Sequence, residues 1–554
     1  MSAVNRAPWI WTGLWVTVMA VAVMTRPLLP VDETRYLSVA WEMWLSGDYL
    51  VPHLNGETYS HKPPLLFWLI NLGWGVFGVN EWWPRLVAPG FGLASLFLTA
   101  RLARELWPQS SEESDAEPIA AIAPLMLFGG LFWVFFTTLT MFDMMLAAFT
   151  LLGLIGTVRA WRHGGCGGLL LLGVGIGFGV LTKGPAILLH TLPVALAAPW
   201  WGPRVSGGLS KTWDGRKGLW LWYAGVFAAV IIGAGIGLAW AIPAGMAGGE
   251  AYRDAIFWGQ SAGRIVSSFA HSRSWWWYGA VVPGMALPWL IWPPVLRVLW
   301  RALRGWRKQL ESGEIRFCLA WFVPALVVFS VISGKQPHYL LPELPALALI
   351  AARLLTVGGN AVQIKSLDPF APGLLAVILG ALLVGLDQLS LPLPWLDLVA
   401  AGWGGVLIVA GLALMASGRL TLTGQISALA AGSAVMAVVG HLAMQPALRA
   451  VYDLKPLALK LAAWQRDGVP LANFSKYHGQ YNFLGRLEKP IAQVGMYNPD
   501  TEKYIEAHPD AKIIAYPDNV PTKAAPVALY RFRSRFIAVW DAAVVARIPE
   551  ITQR

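Results

Sequence analysis

The sequence predicts an all-α polytopic membrane protein with about 13 transmembrane helices and a small C-terminal α/β domain. The 554 residues are 56% hydrophobic and only 13% charged, with a mean hydropathy of +0.54, whereas soluble globular chains carry about 25% charged residues. Apolar stretches of about 18 residues or more recur along most of the chain. Because backbone polar groups must be paired inside lipid, these stretches are expected to be helices.

About fourteen apolar segments are candidates for crossing a bilayer. The first, which ends near Leu29, has no small-residue cleavage site, so we expect it to be a retained helix and not a cleaved signal peptide. The second, residues 64–78, is short for a span and follows a Pro-Pro pair. The candidate segments begin near Pro8, Pro64, Pro84, Pro118, Met141, Gly167, Gly184, Gly218, Trp277, Arg316, Tyr339, Pro372, Pro394 and Thr423.

The distribution of Lys and Arg orients these segments. If residues 64–78 crossed the membrane, the loop with Arg101 and Arg104 would fall outside and the later charge pattern would invert, whereas an interfacial position makes the pattern coherent. We therefore predict interfacial helices in loop 30–83 and a cytoplasmic N-terminus. The predicted cytoplasmic loops carry Arg101, Arg104, Arg159, Arg162, Arg204, Lys211, Arg216, Lys217, the cluster from Arg297 to Lys308, and Arg419.

The chain changes character after its last apolar span, which ends near Met444. We predict a membrane domain over residues 1–445 and a soluble α/β domain over 446–554. In the second domain, "LKPLALKLAAWQRDG" has the pattern of an amphipathic helix, and "VPLANF", "AKIIAYP" and "VALYRFRSRF" have the pattern of strands. An odd number of spans places this domain on the outer side of the membrane.

The net charge of +11 and the pI of about 9.6 do not indicate nucleic-acid binding. The basic side chains lie mostly in short loops, as the positive-inside rule requires, and no basic patch with a nucleic-acid-binding motif occurs. The two cysteines, Cys166 and Cys318, match no zinc spacing and predict no disulfide framework.

The same topology gathers most of the remaining charged side chains at the outer face. Charged groups near lipid are rare and usually functional, so this asymmetry indicates an active site. The outer charges are Asp32, Glu33, Arg35, Lys62, Asp143, Lys183, Arg264 and Lys335.

The loop after the first helix contains "DETRYLSVAWEMWLS", which has the spacing of an interfacial helix. Asp32 and Glu33 either only favour the N-terminus of that helix, or Asp32 is a carboxylate beside a membrane-bound phosphate with Arg35 as its counter-charge. Lys62, in "YSHKPP", either snorkels to the interface or binds phosphate as a compact positive charge.

Two further charges lie at predicted helix ends. Asp143 opens a helix among apolar residues in "LTMFDMML" and has either a capping or a functional role. Lys183, in "LTKGP", either caps carbonyl groups or pairs with Asp32 or Asp143.

Six motifs occur in a fixed order: "DETRY", "KPPLLFWL", "TMFDMMLAAF", "GVLTKGPAILL", "FWGQSAGRI" and "SGKQPHYLLPELPALALI". Together they resemble the bacterial aminoarabinose lipid A transferases and the wider protein O-mannosyltransferase-like family, over residues 8–350 and more weakly to the end. The resemblance implies a GT-C membrane fold, interfacial helices in the first outer loop, a polyprenyl-phosphate sugar donor, and a site on the periplasmic face of a bacterial inner membrane.

The resemblance also implies roles for individual residues. It predicts a catalytic group, a group that contacts the donor phosphate, and further residues that line the pocket. The catalytic residues are Asp32, Asp143 and Lys183. The residues that contact the donor phosphate are Arg35, Lys62, Arg264, Lys335 and Tyr339, and the other pocket residues are Glu33, Tyr59, His61 and His338.

This chain departs from the aminoarabinose enzymes at positions that contribute to a metal site in that subgroup. His61 stands where they have Glu, and Gln260-Ser261 where they often have Glu-His. The four outer histidines, His53, His61, His271 and His338, show no H-x-x-x-H spacing. We therefore expect no metal or other cofactor.

The predicted reaction is transfer of a sugar from a polyprenyl-phosphate donor to a lipid, glycan or protein acceptor, by a single displacement that inverts the anomeric carbon. The alternative is a transporter or flippase, but the chain shows no inverted repeat and its charges lie at one face. A structural or assembly protein would leave Lys62, Asp143 and Arg264 unexplained. The expected partners are the donor, the acceptor and membrane lipids, without nucleic acid.

Overall fold

The computed structural model is mostly α-helical and ends in a small domain with one five-stranded sheet, which confirms the predicted fold class. It describes residues 3–107, 116–205, 213–259, 272–356, 362–388, 395–495, 501–520 and 522–548.

The α-helices in these ranges are numbered along the chain. They are α1 Ala3–Thr25, α2 Asp32–Ser46, α3 Leu65–Phe77, α4 Pro84–Leu106, α5 Ala116–Gly129, α6 Leu131–Phe136, α7 Phe142–His163, α8 Cys166–Lys183, α9 Ala186–Leu196, α10 Ala198–Trp201, α11 Gly215–Ala247, α12 Glu250–Asp254, α13 Trp277–Met285, α14 Pro293–Arg304, α15 Trp306–Gln309, α16 Gly313–Val331, α17 Leu344–Thr356, α18 Phe370–Val384, α19 Gly404–Ala416, α20 Leu422–Tyr452, α21 Lys455–Arg466, α22 Asn482–Gly485, α23 Thr501–Ala507 and α24 Ala542–Arg547.

Within the described ranges, nine helical segments are long and apolar enough to cross a membrane, and four shorter apolar helices have 10–17 residues. This is a multi-pass membrane protein. The segment predicted to start near Trp277 is divided: α13 has nine residues, and α14 begins only at Pro293. Pro283, Pro288, Pro293 and Pro294 account for the division, because proline lacks the amide that a continuous helix needs. The total of about 13 spans stays a prediction.

Helix α3 is the segment that we predicted to lie along the interface. Its 13 residues extend about 20 Å, short of a hydrocarbon core of about 30 Å. One face packs on α2, where the Asn71 side-chain amide donates to the Ala40 carbonyl at 3.1 Å. Leu72, Val76 and Phe77 are exposed on the helix. The length and the exposed apolar side chains fit an interfacial position.

Helix α7 separates two groups of charges. Its 22 residues span about 33 Å, with Asp143 in the first turn. Near the other end, Arg159 pairs with Glu105 of α4 at 2.7 Å, and Arg101 pairs with the same carboxylate at 2.7 Å. The predicted cytoplasmic basic cluster and Asp143 therefore lie at opposite ends of one membrane-length helix.

The C-terminal domain contains a mixed sheet in the order β4-β3-β5-β7-β6, and a hairpin of two short strands, β1-β2, lies between α2 and α3. Strand β3 is parallel to β4 and β5, and β7 is antiparallel to β5 and β6. Each segment predicted as a strand contains one. The strands are β1 His53–Leu54, β2 Glu57–Thr58, β3 Leu471–Phe474, β4 Ala492–Val494, β5 Lys512–Ala515, β6 Ala528–Phe532 and β7 Arg535–Asp541.

This domain packs directly on α2 and α3. The Trp41 indole N–H donates to the Leu487 carbonyl at 2.9 Å, and the rings of Trp74 and Phe483 stack with their centroids 5.2 Å apart. One buried apolar cluster contains side chains from both helices, from the start of α7 and from the sheet domain. Helix α2 therefore links the membrane helices to the C-terminal domain.

Candidate active site

Asp32 begins α2 and keeps an accessible carboxylate, with 52% of its side chain exposed. It forms an ion pair with Arg35, one turn later, and the Tyr36 hydroxyl donates to Asp32 Oδ1 at 3.4 Å. The N-cap position belongs to Val31, whose side chain cannot accept a hydrogen bond. Asp32 is therefore not the N-cap of α2, although its charge favours the helix N-terminus. The carboxylate is held in place yet open to a ligand.

Tyr36 lies between this carboxylate and the start of α7. Its ring meets the Phe142 ring edge-on, with centroids 4.9 Å apart. Burial raises the pKa of the Tyr36 hydroxyl well above its ordinary value, and the nearby Asp32 charge raises it further. The phenol therefore stays protonated and remains a hydrogen-bond donor to Asp32.

Asp143 and Lys183 form the second acid–base pair. Asp143 is buried at the start of α7, and Lys183 Nζ, from the last turn of α8, lies 2.6 Å from Asp143 Oδ1. Lys183 Nζ is also 4.9 Å from the centroid of the Tyr339 ring. His338 lies within electrostatic range of the Asp143 carboxylate. Of the two partners that the sequence left open for Lys183, the structure selects Asp143.

The Phe142 ring connects the segment before α3 to this buried pair. Lys62 Nζ lies 5.7 Å from the Phe142 ring centroid and within electrostatic range of Asp143. Phe67 of α3 meets Phe142 edge-on at 5.9 Å. The cation that the sequence assigns to a phosphate thus lies beside Asp143, although 81 sequence positions separate the two.

Tyr59 and His61 form the aromatic side of the same loop. Tyr59 is buried, and its ring stacks on His61 with centroids 5.3 Å apart. It also meets Phe67 edge-on at 6.1 Å. The stacking orients the ring of His61, which is exposed and directly precedes Lys62.

Glu33 faces away from Asp32 and is fully engaged. Both of its carboxylate oxygens contact the Arg26 guanidinium, and they also accept the Leu29 amide at 2.9 Å and the Thr140 amide at 2.8 Å. Arg26 donates further to the Thr138 carbonyl at 3.0 Å. We predicted Glu33 as a pocket residue; the structure places it in a buried ion pair that joins α1, α2 and the turn before α7.

Burial by itself raises the pKa of Glu33. The Arg26 charge, the Arg26 hydrogen bonds and the two backbone amides outweigh that effect and lower the pKa to about 2. The carboxylate is therefore ionised throughout the physiological range and is unsuited to exchanging a proton with a substrate.

Two of the predicted residues lie on the 3₁₀ segment Pro337–Glu343. His338 lies against Phe136 with ring centroids 5.5 Å apart, and Tyr339 faces Lys183. Glu343, at the end of the segment, shares a buried hydrogen bond with His190 Nδ1 of α9. This pair anchors the segment that presents Tyr339 to the site.

Lys335 is engaged by the backbone. Its Nζ donates to the Ile332 carbonyl at 2.5 Å and to the Arg273 carbonyl at 2.9 Å. An ammonium has three donors, and within the described part of the chain these two carbonyls are its acceptors, which leaves a third donor for a ligand.

The remaining predictions of this set fall outside the described residues. Arg264 lies there, as do Gln260-Ser261 and His271. Among the residues that the structure describes, no group of three His, Cys, Asp or Glu side chains is placed to hold a metal ion.

Sequence reasoning missed Arg26 and Phe142. Arg26 follows the first apolar helix, where a charge scan could have flagged it, but its partner Glu33 was assigned to the pocket. Phe142 carries no charge and precedes Asp143 in an apolar run, so the sequence contains no signal that it contacts Tyr36, Phe67 and Lys62.

The chain resembles known enzymes in sequence. Residues 61–207 match the family described as dolichyl-phosphate-mannose-protein mannosyltransferase. A relative from Pseudomonas fluorescens strain Pf0-1, undecaprenyl phosphate-alpha-4-amino-4-deoxy-L-arabinose arabinosyl transferase 1, is 31% identical over 63% of this chain and 58% of its own length. The enzyme of the same activity from Edwardsiella ictaluri is 30% identical over 65% of this chain and 62% of its own length. The matches thus cover less than two thirds of these relatives.

The whole fold resembles a solved structure. ArnT from Cupriavidus metallidurans superposes in its apo state with a TM-score of 0.77, and bound to undecaprenyl phosphate with 0.75. Both are 20% identical in sequence and cover at least 97% of each chain. These matches confirm the resemblance and the GT-C fold expected from the motifs.

The Arg26–Glu33 pair yields a stability prediction. Glu33→Gln leaves the buried guanidinium without its counter-charge, so we expect the free energy of unfolding to fall by roughly 3 kcal/mol or more. Because the pKa of Glu33 in the folded protein is about 2, its contribution is complete above its ordinary value near 4.5 and is lost as the pH falls from there towards 2. Thermal unfolding of the purified protein between pH 3 and pH 7 measures both effects.

The matched control is Glu57→Gln, which removes a carboxylate from an exposed residue in the same loop. It should unfold like the wild type at every pH. Equal stability of Glu33→Gln and Glu57→Gln would show that the buried pair does not hold this junction together.

Proposed function

We propose that this chain is an integral membrane glycosyltransferase that moves a sugar from a polyprenyl-phosphate donor to a lipid acceptor of the lipid A kind, with a glycan or protein as the less favoured acceptor. We further propose that it lies in a bacterial inner membrane, with the site and the C-terminal domain on the periplasmic face.

One observation carries the proposal: two carboxylates and two lysines from four separate elements lie within electrostatic range of one side chain, His338. Asp32 starts α2, Lys62 precedes α3, Asp143 starts α7 and Lys183 ends α8. Every group sits at or outside a helix end. That arrangement suits a lipid-borne phosphate whose sugar emerges at the membrane surface.

The donor phosphate is the leaving group, so the enzyme has to position it and stabilise its growing charge. We assign this role to Lys62, with Arg35, Arg264 and the remaining donor of Lys335, and with Tyr339 lining the pocket. As the bond between the anomeric carbon and the phosphate oxygen breaks, the phosphate gains negative charge, and a nearby ammonium stabilises it.

The acceptor oxygen forms the new bond to the anomeric carbon from the opposite side, which inverts the configuration. Asp32 is the accessible acid and can accept the proton of an acceptor hydroxyl. An acceptor that is itself a phosphate needs no base, and Asp32 then orients it. Asp143 is already neutralised by Lys183, so we assign this pair to holding the reacting groups in place.

A transporter is the alternative. Transport sites lie near the membrane midplane between repeats, whereas the four converging groups lie at helix ends. Transfer of radiolabel from undecaprenyl-phosphate-linked 4-amino-4-deoxy-L-arabinose to lipid A by the purified protein tests the proposal. Label that moves only across the membrane of a sealed vesicle, without a new covalent product, would favour the transporter.

Asp32 and Lys62 should respond differently to substitution. Lys62→Gln removes a charge-assisted phosphate contact, so we expect donor binding to weaken about tenfold to a hundredfold and turnover to fall with it. Asp32→Asn keeps the shape and removes the negative charge, so we expect donor affinity to survive while turnover falls about a hundredfold or more. Equilibrium donor binding and steady-state transfer are measured on both variants.

Two exposed residues supply controls. Glu57→Gln removes a carboxylate from the same loop, and Lys489→Gln removes an exposed ammonium; both should behave like the wild type. A fully active Asp32→Asn enzyme would refute its catalytic role and leave only a phosphate-binding site.

The topology gives a third prediction. In a Cys166→Ser background, Asp510→Cys in the sheet domain should react with a membrane-impermeant maleimide on intact spheroplasts. Arg419→Cys, between α19 and α20, should react only after permeabilisation. Both positions are exposed, and the remaining Cys318 is buried. Protection of residue 510 would place the C-terminal domain in the cytoplasm and contradict the proposed orientation.

We also expect transfer to survive chelation, because His61 stacks on Tyr59 and replaces an acidic residue of the aminoarabinose enzymes. The assay is transfer with excess EDTA, followed by re-addition of single divalent ions. Loss of activity with EDTA and its recovery with one ion would show that a metal is required and would make His61 and His271 candidate ligands.

A further inference from the structure

A loop of the C-terminal domain, residues 475–481, lies against the N-terminal half of α2. The Ser38 hydroxyl donates to the Gly479 carbonyl at 2.5 Å, and the Phe483 amide donates to Ser38 Oγ at 3.1 Å. Ser38 is fully buried and lies one helical turn after Arg35. This contact therefore brings the loop next to the Asp32–Arg35 pair.

Gly479 sets how closely the loop approaches. Its φ is +69°, a conformation that favours glycine, and an added Cβ would lie 2.3 Å from Leu54 Cδ1 and 3.4 Å from Ser38 Cβ. Glycine therefore suits this position, both for its backbone conformation and for the room that it leaves to Leu54 of β1. The loop backbone packs closely against β1 and α2 at this point.

A buried hydrogen-bond network holds the loop from the sheet side. The Tyr516 hydroxyl donates to Asn473 Oδ1 at 2.7 Å, and Gln480 Nε2 donates to the Tyr516 oxygen at 2.8 Å. The hydroxyls of Tyr481 and Tyr516 are 3.0 Å apart. Asn473, Gln480 and Tyr481 are all buried. The loop is thus positioned from both sides and needs little ordering to receive a ligand.

The loop presents Lys476, which is exposed, and His478, which is partly exposed. His478 lies within electrostatic range of Arg35, Lys476 and Asp32, and burial lowers its pKa, with the two cations lowering it further. At neutral pH its imidazole is uncharged and still offers one N–H donor. Ser475 precedes this pair with a φ of +91°, an unfavourable conformation for a residue with a side chain.

We propose that Lys476 and His478 bind the phosphate group of a phosphate-bearing acceptor lipid and place it beside Asp32. This inference rests on the proposed function and deepens it. The loop supplies one cation, Lys476, and one neutral N–H donor, His478, which lies within electrostatic range of Arg35 and Asp32, and such donors suit phosphate oxygens. Lys476 and His478 belong to the domain outside the helix bundle, so they are reached from the aqueous side, whereas Lys62 lies beside the buried Asp143.

The test uses the full-length protein in lipid nanodiscs and does not require the donor. Binding of bisphosphorylated lipid A is compared with binding of dephosphorylated lipid A for the wild type, Lys476→Gln and His478→Gln. We expect the wild type to prefer the phosphorylated form by about tenfold or more. Lys476→Gln should lose most of that preference, and His478→Gln should lose part of it. Equal preference in all three proteins would overturn the proposal.

Arg466→Gln is the matched control, since it removes an exposed cation on α21 of the same domain. It should keep the preference of the wild type, whereas a loss equal to that of Lys476→Gln would show a general charge effect and overturn the assignment. Lys476→Gln should also raise the KM for lipid A while the KM for the donor and kcat change less than about twofold. A fall in kcat with an unchanged KM for lipid A would contradict a binding role.

Two further measurements identify the source of the phosphate. Inorganic phosphate and phosphatidylglycerol are added as competitors of lipid A. Competition by phosphatidylglycerol at the same concentrations as lipid A would show recognition of membrane phospholipid and overturn the acceptor assignment. If the wild type binds lipid A through Lys476 but transfers no sugar to it, the proposed reaction fails while this binding site stands. If Lys476→Gln binds lipid A like the wild type and the wild type transfers sugar normally, this binding site fails while the proposed reaction stands.

Discussion

The buried ion pair between Arg26 and Glu33 is the interaction on which the site geometry depends. A buried carboxylate is tolerated only when it is paired and hydrogen-bonded, and Glu33 meets both conditions with groups from the end of α1 and from the turn at Thr140. Consecutive residues of a helix point about 100° apart. When Glu33 is directed inward, Asp32 is directed outward, so one buried contact sets the orientation of the accessible acid and its position relative to α7.

The two acids at the site differ because their surroundings differ. Asp32 is half exposed and forms an ion pair with Arg35. Because solvent reaches this carboxylate, the ion pair is weak and a ligand can replace it. Asp143 is buried against Lys183 at 2.6 Å, and separating that pair would leave a charge unpaired at large cost. A substrate can therefore displace Arg35 from Asp32 far more readily than it can displace Lys183 from Asp143.

Much of this arrangement could be predicted from the sequence, for identifiable reasons. A charged side chain near lipid costs free energy and is therefore rare, so four charged residues in apolar surroundings could be identified as site candidates. The structure places each of them at or just outside a helix end, and they are Asp32, Lys62, Asp143 and Lys183. The sequence could not reveal which of two adjacent acids, Asp32 or Glu33, is buried, because the pair that Glu33 forms with Arg26 is enclosed by the turn at Thr138 and Thr140, more than 100 positions away. It also offered no sign that uncharged Phe142 joins the two halves of the site.

The role of α2 was beyond sequence reasoning for the same reason, since its contacts span more than 400 positions. Asp32 and Arg35 face the site, while Ser38 and Trp41, further along the helix, bond to the C-terminal domain. Asp32, Arg35, Ser38 and Trp41 belong to one continuous helix. The sheet domain and the membrane helices therefore both contact the element that carries the accessible acid.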